Sequence, residues 1–208
     1  MTKTIIKPHP IPNSYWATPL LLACEYPWDP TDPSACKLDA LLLAGVRTFI
    51  DLTELGELIP YCTDDDDATV HDTTDPRNVL YCEALRLGLP PSEIQHHRFG
   101  IHDRSLPSSI ALLDSILACL DENAKEGRIC AVHCRGGIGR TGVIVGCWLV
   151  QSGVARDGNE ALEIIAREWK GVEKYRKYPV SPETGEQEEY VRGFKKEHAE
   201  AIVNLLKL

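Results

Sequence analysis

Apolar and polar positions along the chain switch between a period of two and a period of three to four, and the switches predict an order of elements. The run YWATPLLLACEYP from Tyr15 reads as a strand or strand pair, SACKLDALLLAG as a helix stopped by Gly45, and VRTFIDL as a buried strand rich in β-branched and aromatic residues. VLYCEAL (79–85) and HHRFGI (96–101) supply further expected strands. Ser108 is expected to cap a helix with apolar positions at Ile110, Leu113, Ile116, Leu117 and Leu120, ending at Gly127. RICAVHC is a short strand that runs straight into a glycine-rich loop, and Arg140 to Gln151 an apolar helix leading away from it. Asp157 with Glu160 resembles a capping box for a helix through Trp169, and Ser181-Pro182-Glu183 is the expected start of the last helix.

Strands alternating with helices point to an α/β fold of three layers, with a central, mainly parallel sheet and helices on both faces. Residues 1–13 carry three prolines and read as an extended, frayed arm, leaving 14–208 as a single domain. The segment from Thr53 to Arg77 is acidic and lacks periodicity, and is expected to be a long surface excursion.

Composition adds exclusions. The formal charge of −9 disfavours nucleic acid or an anionic membrane as a bulk partner, so any anion must be captured locally. The run Asp64–Asp67 lacks the glycine and closing glutamate of a calcium loop and is expected to be solvated. No stretch reaches the ~20 apolar residues of a membrane span, and no signal-peptide core is evident, so an intracellular, cytoplasmic protein is expected. The eight cysteines are then expected to be mostly buried thiols, several within apolar runs.

The chemistry concentrates in VHCRGGIGRTG, residues 132–142, at a strand-to-helix turn. Arg135, Gly136, Gly137, Ile138, Gly139 and Arg140 can present backbone N–H groups to an oxyanion, and the helix N-terminus adds positive potential. No Lys-Ser or Lys-Thr pair follows, which excludes a nucleotide-triphosphatase loop. The amides that would hold a phosphate would also stabilise a thiolate at Cys134, placing a nucleophile beneath phosphorus. The planar guanidinium of Arg140 suits two equatorial oxygens of a transferring phosphoryl group. Thr141 is a candidate hydrogen-bond donor to the leaving sulfur, and His133 a candidate for ordering the loop.

HCRGGIGRTG resembles the Cys, five residues, Arg, Ser/Thr signature of cysteine-dependent protein tyrosine and dual-specificity phosphatases, and LLLACEYPWDP and TFIDLTE resemble small bacterial-type members. The resemblance, extending from about Tyr15 onward, implies a protein tyrosine phosphatase-like fold and metal-free phosphomonoester hydrolysis through a phosphocysteine, with no cofactor. It also implies a general acid from a loop upstream, for which GIHDRSLPS supplies Asp103, and it makes Gln187 in SPETGEQEEYVRGF a candidate for positioning water. Gln187 could equally sit at the edge of a core face formed by Tyr190, Val191 and Phe194. The tyrosine-rich substrate loop of the larger tyrosine-specific enzymes is absent, which implies a shallower cleft.

Arg135, His102 and Arg104 are rim candidates that would favour anionic substrates, and Tyr61 a candidate wall of the cleft. The expected partner is a phosphorylated protein or phosphorylated small molecule. An inositol phosphate or phosphoinositide is the alternative substrate, and a phosphate-recognition module with little turnover the alternative of another class. Cys82 and Cys130 are weak candidates for a disulfide with Cys134, Cys130 being ~13 Å away along an extended strand. Zinc spacing is lacking, so no metal is expected. The sequence specifies no oligomeric state.

Overall fold

The structure is a computed structural model that describes residues 7–31, 37–62 and 77–196. The Asp64–Asp67 run and Cys36 lie outside the described residues. Among the described residues the strands are β1 (Ser14–Thr18), β2 (Leu21–Cys24), β3 (Val46–Asp51), β4 (Gln95–Arg98) and β5 (Ile129–His133). The helices are α1 (Lys37–Leu43), α2 (Val79–Arg86), α3 (Ile110–Lys125), α4 (Gly139–Gln151), α5 (Gly158–Trp169) and α6 (Gly185–Gly193).

The sheet order is β1-β2-β5-β3-β4, antiparallel between β1 and β2 and parallel elsewhere, as the β-α-β pattern implies. Side chains alternate across it as the period of two requires. Leu21, Ala23, Ile50, Cys130 and Val132 join one core with residues of α3, α4, α5 and α6. Leu22, Cys24, Phe49 and Ala131 join a second core with residues of α1 and α2 on the opposite face. Cys24 and Asp51 are both in register with His133, so three strands end together beneath the glycine-rich loop.

Helix α4 explains its apolar sequence: every residue from Gly139 to Val150 is buried, because the helix packs on the sheet and against its three neighbours. Asp157 caps α5 by accepting from Glu160 N–H, whereas the Glu160 carboxylate reaches the N–H of Arg156 rather than that of Asp157. Trp148 Nε1 donates to Asp121 Oδ1 at 3.0 Å and ties α4 to α3.

Several expectations are corrected. VLYCEAL is helical, not a strand: Leu80, Tyr81 and Ala84 lie on one helical face in the second core, and Cys82 therefore sits on a half-buried helix position. A short apolar run has no periodicity able to distinguish the two states. The cap of α3 is Ser109, whose oxygen accepts from Leu112 N–H, not Ser108, and Ile110 is 57% exposed because it precedes the buried stripe. The last helix starts at Gly185, capped by Thr184 in a reciprocal box with Gln187, and not at Ser181-Pro182-Glu183, whose Ser181–Pro182 peptide is cis. The described part of the N-terminal arm is fixed to the domain: Ile11 is buried, Trp16 Nε1 donates to Pro8 O, and Glu173 N–H donates to Pro12 O.

Candidate active site

The loop between β5 and α4 is held from outside by its carbonyls. Arg135 O accepts from Tyr26 N–H at 3.2 Å, Gly136 O from Lys174 Nζ at 2.9 Å, and Ile138 O from Ser181 Oγ at 2.8 Å. Carbonyls turned outward leave amides for the concave side, and Gly137 N–H lies 3.3 Å from Cys134 Sγ. Gly137 has φ +71°, and a Cβ there would stand 2.5 Å from the Cys24 carbonyl, so both backbone conformation and space demand glycine. Cys134 is buried at the base of this cradle, where the N-terminus of α4 begins.

Arg140 is buried and carries several acceptors at once. Glu57 grips it through two hydrogen bonds of 2.7 Å, Asp103 Oδ1 accepts from Nη2 at 2.8 Å, and Ile101 O accepts from Nη1 at 2.9 Å. Burial alone would lower the guanidinium's proton affinity, but Glu57, Cys134 and Asp103 hold it above the ordinary arginine range. Burial likewise works to raise the Glu57 carboxyl, and Arg140 more than offsets this, holding it below the usual carboxylate range.

The loop bearing Asp103 is tied down residue by residue. His102 Nδ1 meets Glu54 Oε2 at 2.9 Å, Arg104 has φ 59° and lies 3.9 Å from Glu183, and Ser105 O accepts from Gln187 Nε2 at 3.0 Å. Asp103 itself is half-exposed, so its carboxyl faces both Arg140 and solvent.

Beneath the loop lies a largely buried polar network. Tyr61 Oη is 2.6 Å from His133 Nε2, and Asp51 Oδ1 stands 3.7 Å from His133 Nδ1. The other Asp51 oxygen faces Arg98 at 3.1 Å and His96 at 3.9 Å, while Thr53 donates twice to Oδ1. Burial opposes ionisation of Asp51, but the surrounding His133, His96 and Arg98 hold its carboxyl well below the usual range. Burial also opposes a charge on His96, yet Asp51 and Cys62 push it up to about 9. His133 is pushed down to about 4, first by burial, with Asp51 opposing and the His96 and Arg98 charges reinforcing. At neutral pH His96 therefore carries the proton and His133 stays neutral. With Tyr61 donating to Nε2, the Nδ1–H tautomer faces Asp51. His133 is thus suited to ordering the loop and not to serving as a base.

The structure brings Cys134, His133, Arg140 and Asp103 together with the residues from Arg135 to Gly139. Thr141 is fully buried, and its hydroxyl has no hydrogen-bond partner among the described residues; the sulfur's near donor is the Gly137 amide. Gln187 is buried beside the loop, where a Cβ on Gly139 would stand 2.8 Å from its Oε1, although it also completes the α6 cap. Tyr61 is corrected from a rim residue to a buried one, since it supports His133 from below. Arg135, His102 and Arg104 are exposed as rim residues must be. Neither Cys82 nor Cys130 is bridged to Cys134 in the structure. Sequence reasoning missed Glu57, Asp51, Lys174 and Ser181. The inner end of the acidic segment, expected at the surface, instead buries Tyr61 and Cys62 and delivers Glu57.

Comparisons with known proteins agree with this geometry. Residues 16–191 match the model of the PTP-SAK family, described as Swiss Army Knife protein, DSP-PTPase phosphatase domain. The protein tyrosine phosphatase domain-containing protein 1 of Danio rerio is 30% identical over 143 residues, covering 66% of this chain. The match spans only 17% of that protein's length. Among solved structures, Tk-PTP in its active form covers 91% of this chain and 97% of its own at 23% identity, with a TM-score of 0.60. TpbA of P. aeruginosa in complex with pTyr covers 98% of this chain and 99% of its own at 19% identity and a TM-score of 0.59. Fold, signature loop and family match coincide: the chain belongs to the Swiss Army Knife family of DSP-PTPase phosphatase domains.

Proposed function

We propose that the protein hydrolyses phosphomonoesters of phosphorylated proteins through a phosphocysteine at Cys134. The observation that carries this reading is the convergence of Cys134, the loop amides and Arg140, with the Asp103 carboxyl hydrogen-bonded to that same guanidinium. Substrate phosphate seated on the amides replaces Asp103 at Arg140 and frees that carboxyl for the leaving group. The thiolate then attacks phosphorus, the S–P bond forms as the P–O ester bond breaks, and Asp103 transfers its proton to the departing oxygen. In the second step water attacks phosphorus, the Asp103 carboxylate accepts its proton, and the S–P electron pair returns to sulfur with release of phosphate.

Arg140 holds the equatorial oxygens in both steps, and Glu57 fixes the guanidinium plane. Gln187, buried against the loop and bonded to the acid loop, is suited to orient the attacking water. The TpbA structure with pTyr supports phosphotyrosine as a substrate, although that likeness in itself is one of fold. The described cysteines form no disulfide, which suits a reducing compartment such as the cytoplasm. No helix among the described residues is long and apolar enough to cross a membrane.

The test is hydrolysis of phosphotyrosyl, phosphoseryl and inositol phosphates by wild type, Cys134→Ser and Asp103→Asn. Cys134→Ser should abolish turnover. Asp103→Asn should slow poor leaving groups far more than activated aryl phosphates. Full activity of Cys134→Ser, or equal slowing of all leaving groups by Asp103→Asn, contradicts the mechanism.

A further inference from the structure

Two of the three bonds that hold the loop carbonyls come from one short segment, Lys174 through Ser181. Lys174 Nζ donates to Gly136 O at 2.9 Å, and Ser181 Oγ donates to Ile138 O at 2.8 Å. The residues between these anchors, YRKYPV, are therefore pinned alongside the phosphate loop. The segment is stiff: Lys177 and Tyr178 N–H both donate to Lys174 O, Trp169 Nε1 donates to Tyr178 O at 2.7 Å, and Lys174 N–H donates to Asn13 Oδ1.

Its charge departs from that of the rest of the molecule. A chain of net charge −9 places three cations and no carboxylate between residues 174 and 181. Lys174 is neutralised by Glu25 at 2.7 Å. Arg176 and Lys177 are exposed, and no ion pair holds either among the described residues; the same is true of Arg135 on the loop itself. Exposed apolar surface adjoins them: Tyr178, beneath the Lys177 ammonium at 5.3 Å from its ring centre, and Val180, 53% exposed.

Resting on the phosphatase reading above, we propose that Lys174–Ser181 is a specificity segment that recognises acidic residues flanking the phosphorylated residue of a peptide. Arg176 and Lys177 pair with the carboxylates, while Tyr178 and Val180 cover peptide side chains. The apolar half favours a peptide over a polyphosphorylated ring, which offers nothing to cover Tyr178 and Val180. Because both ends are anchored on the loop, the segment needs no ordering on binding.

The test compares two phosphotyrosyl peptides of equal length, one with glutamate and one with alanine flanks, alongside p-nitrophenyl phosphate. Wild type should favour the acidic peptide by about three- to tenfold in kcat/KM at low salt, the range expected of two exposed ion pairs. Arg176→Ala/Lys177→Ala should abolish the preference, and Arg176→Glu/Lys177→Glu should reverse it, while turnover of p-nitrophenyl phosphate stays at the wild-type value. Binding of both peptides to Cys134→Ser reads the same preference without turnover. Equal affinity of Cys134→Ser for the two peptides overturns the proposal, as does a preference that survives the double substitutions. So does a loss confined to an inositol polyphosphate substrate, which would assign the segment to a small polyanion. Failure of wild type to hydrolyse p-nitrophenyl phosphate strikes the phosphatase reading instead, and the binding comparison still decides this one.

Discussion

Raising the pH from 6.5 to 9 should destabilise the protein through a single buried histidine, and Asp51→Asn should remove that dependence. His96 is 3.9 Å from Asp51 Oδ2, and both side chains are essentially inaccessible. In the folded protein it is pushed up to about 9 from the ordinary 6.5, because Asp51 and Cys62 outweigh the cost of burying its charge. Between those two values the folded state holds a proton that the unfolded chain releases, so this contribution is complete below 6.5 and is lost as pH rises through about 9. The difference of roughly two and a half pH units corresponds to about 3 kcal/mol. His133, pushed down to about 4, acts in the opposite sense: between about 4 and 6.5 the unfolded chain binds a proton that the folded state refuses, so stability rises with pH there. The lowered carboxylates Asp51, Glu57 and Glu25 add to that acid-side loss. Maximum stability is expected near pH 6.5.

Asp51→Asn keeps the shape and can still accept from Thr53, but it leaves Arg98 without its 3.1 Å anion and removes what holds the proton on His96. Removing one partner of a buried pair costs about 3–5 kcal/mol, so the variant should be weakened by that amount at pH 6. Urea unfolding of both proteins at several pH values measures the two effects, and histidine Cε1–H titration by NMR reports His96 directly. A wild-type stability that stays level between pH 6.5 and 9, or a His96 that titrates at its ordinary value, refutes the assignment of the buried charge.

Further expectations concern the site itself. Glu57→Ala should reduce kcat by about 10- to 100-fold by freeing the Arg140 plane, since misplacement of about 1 Å has such consequences, and Glu57→Gln should restore part of the loss in steady-state kinetics. Gly137→Ala should abolish activity and lower Tm, because φ +71° and the Cys24 carbonyl 2.5 Å from the new Cβ both oppose it. Thr184→Ala should cost about 1 kcal/mol through loss of the α6 cap, read by urea denaturation.

The nucleophile loop was legible because its neighbours are in the chain: a strand, five residues and a helix carry the cradle, Cys134 and Arg140 with no help from elsewhere. Helices α3 and α5 were legible for the same reason, through their own apolar periods. What supports the loop was not. Glu57 meets Arg140 across 83 residues and Tyr61 meets His133 across 72, and nothing local in TELGELIPYC distinguishes a brace from a solvated acidic turn. VLYCEAL failed differently: as a short apolar run it fits either period, and only the α1 face against which it packs selects the helix. Local preference favours a helix start at Ser181-Pro182, but Ser181 is used to hold Ile138 O, and Thr184 with Gln187 makes the better cap.

The central claim is a covalent phosphocysteine at Cys134. Acid quench of the enzyme during turnover of a phosphotyrosyl peptide, followed by mass spectrometry of its fragments, should find the added mass of one phosphoryl group on the peptide containing Cys134. The adduct should accumulate further in Asp103→Asn, where its hydrolysis is slowed, if formation from an activated aryl phosphate is left fast. Turnover with no adduct at Cys134 in either protein, or an adduct on another residue, would contradict the account.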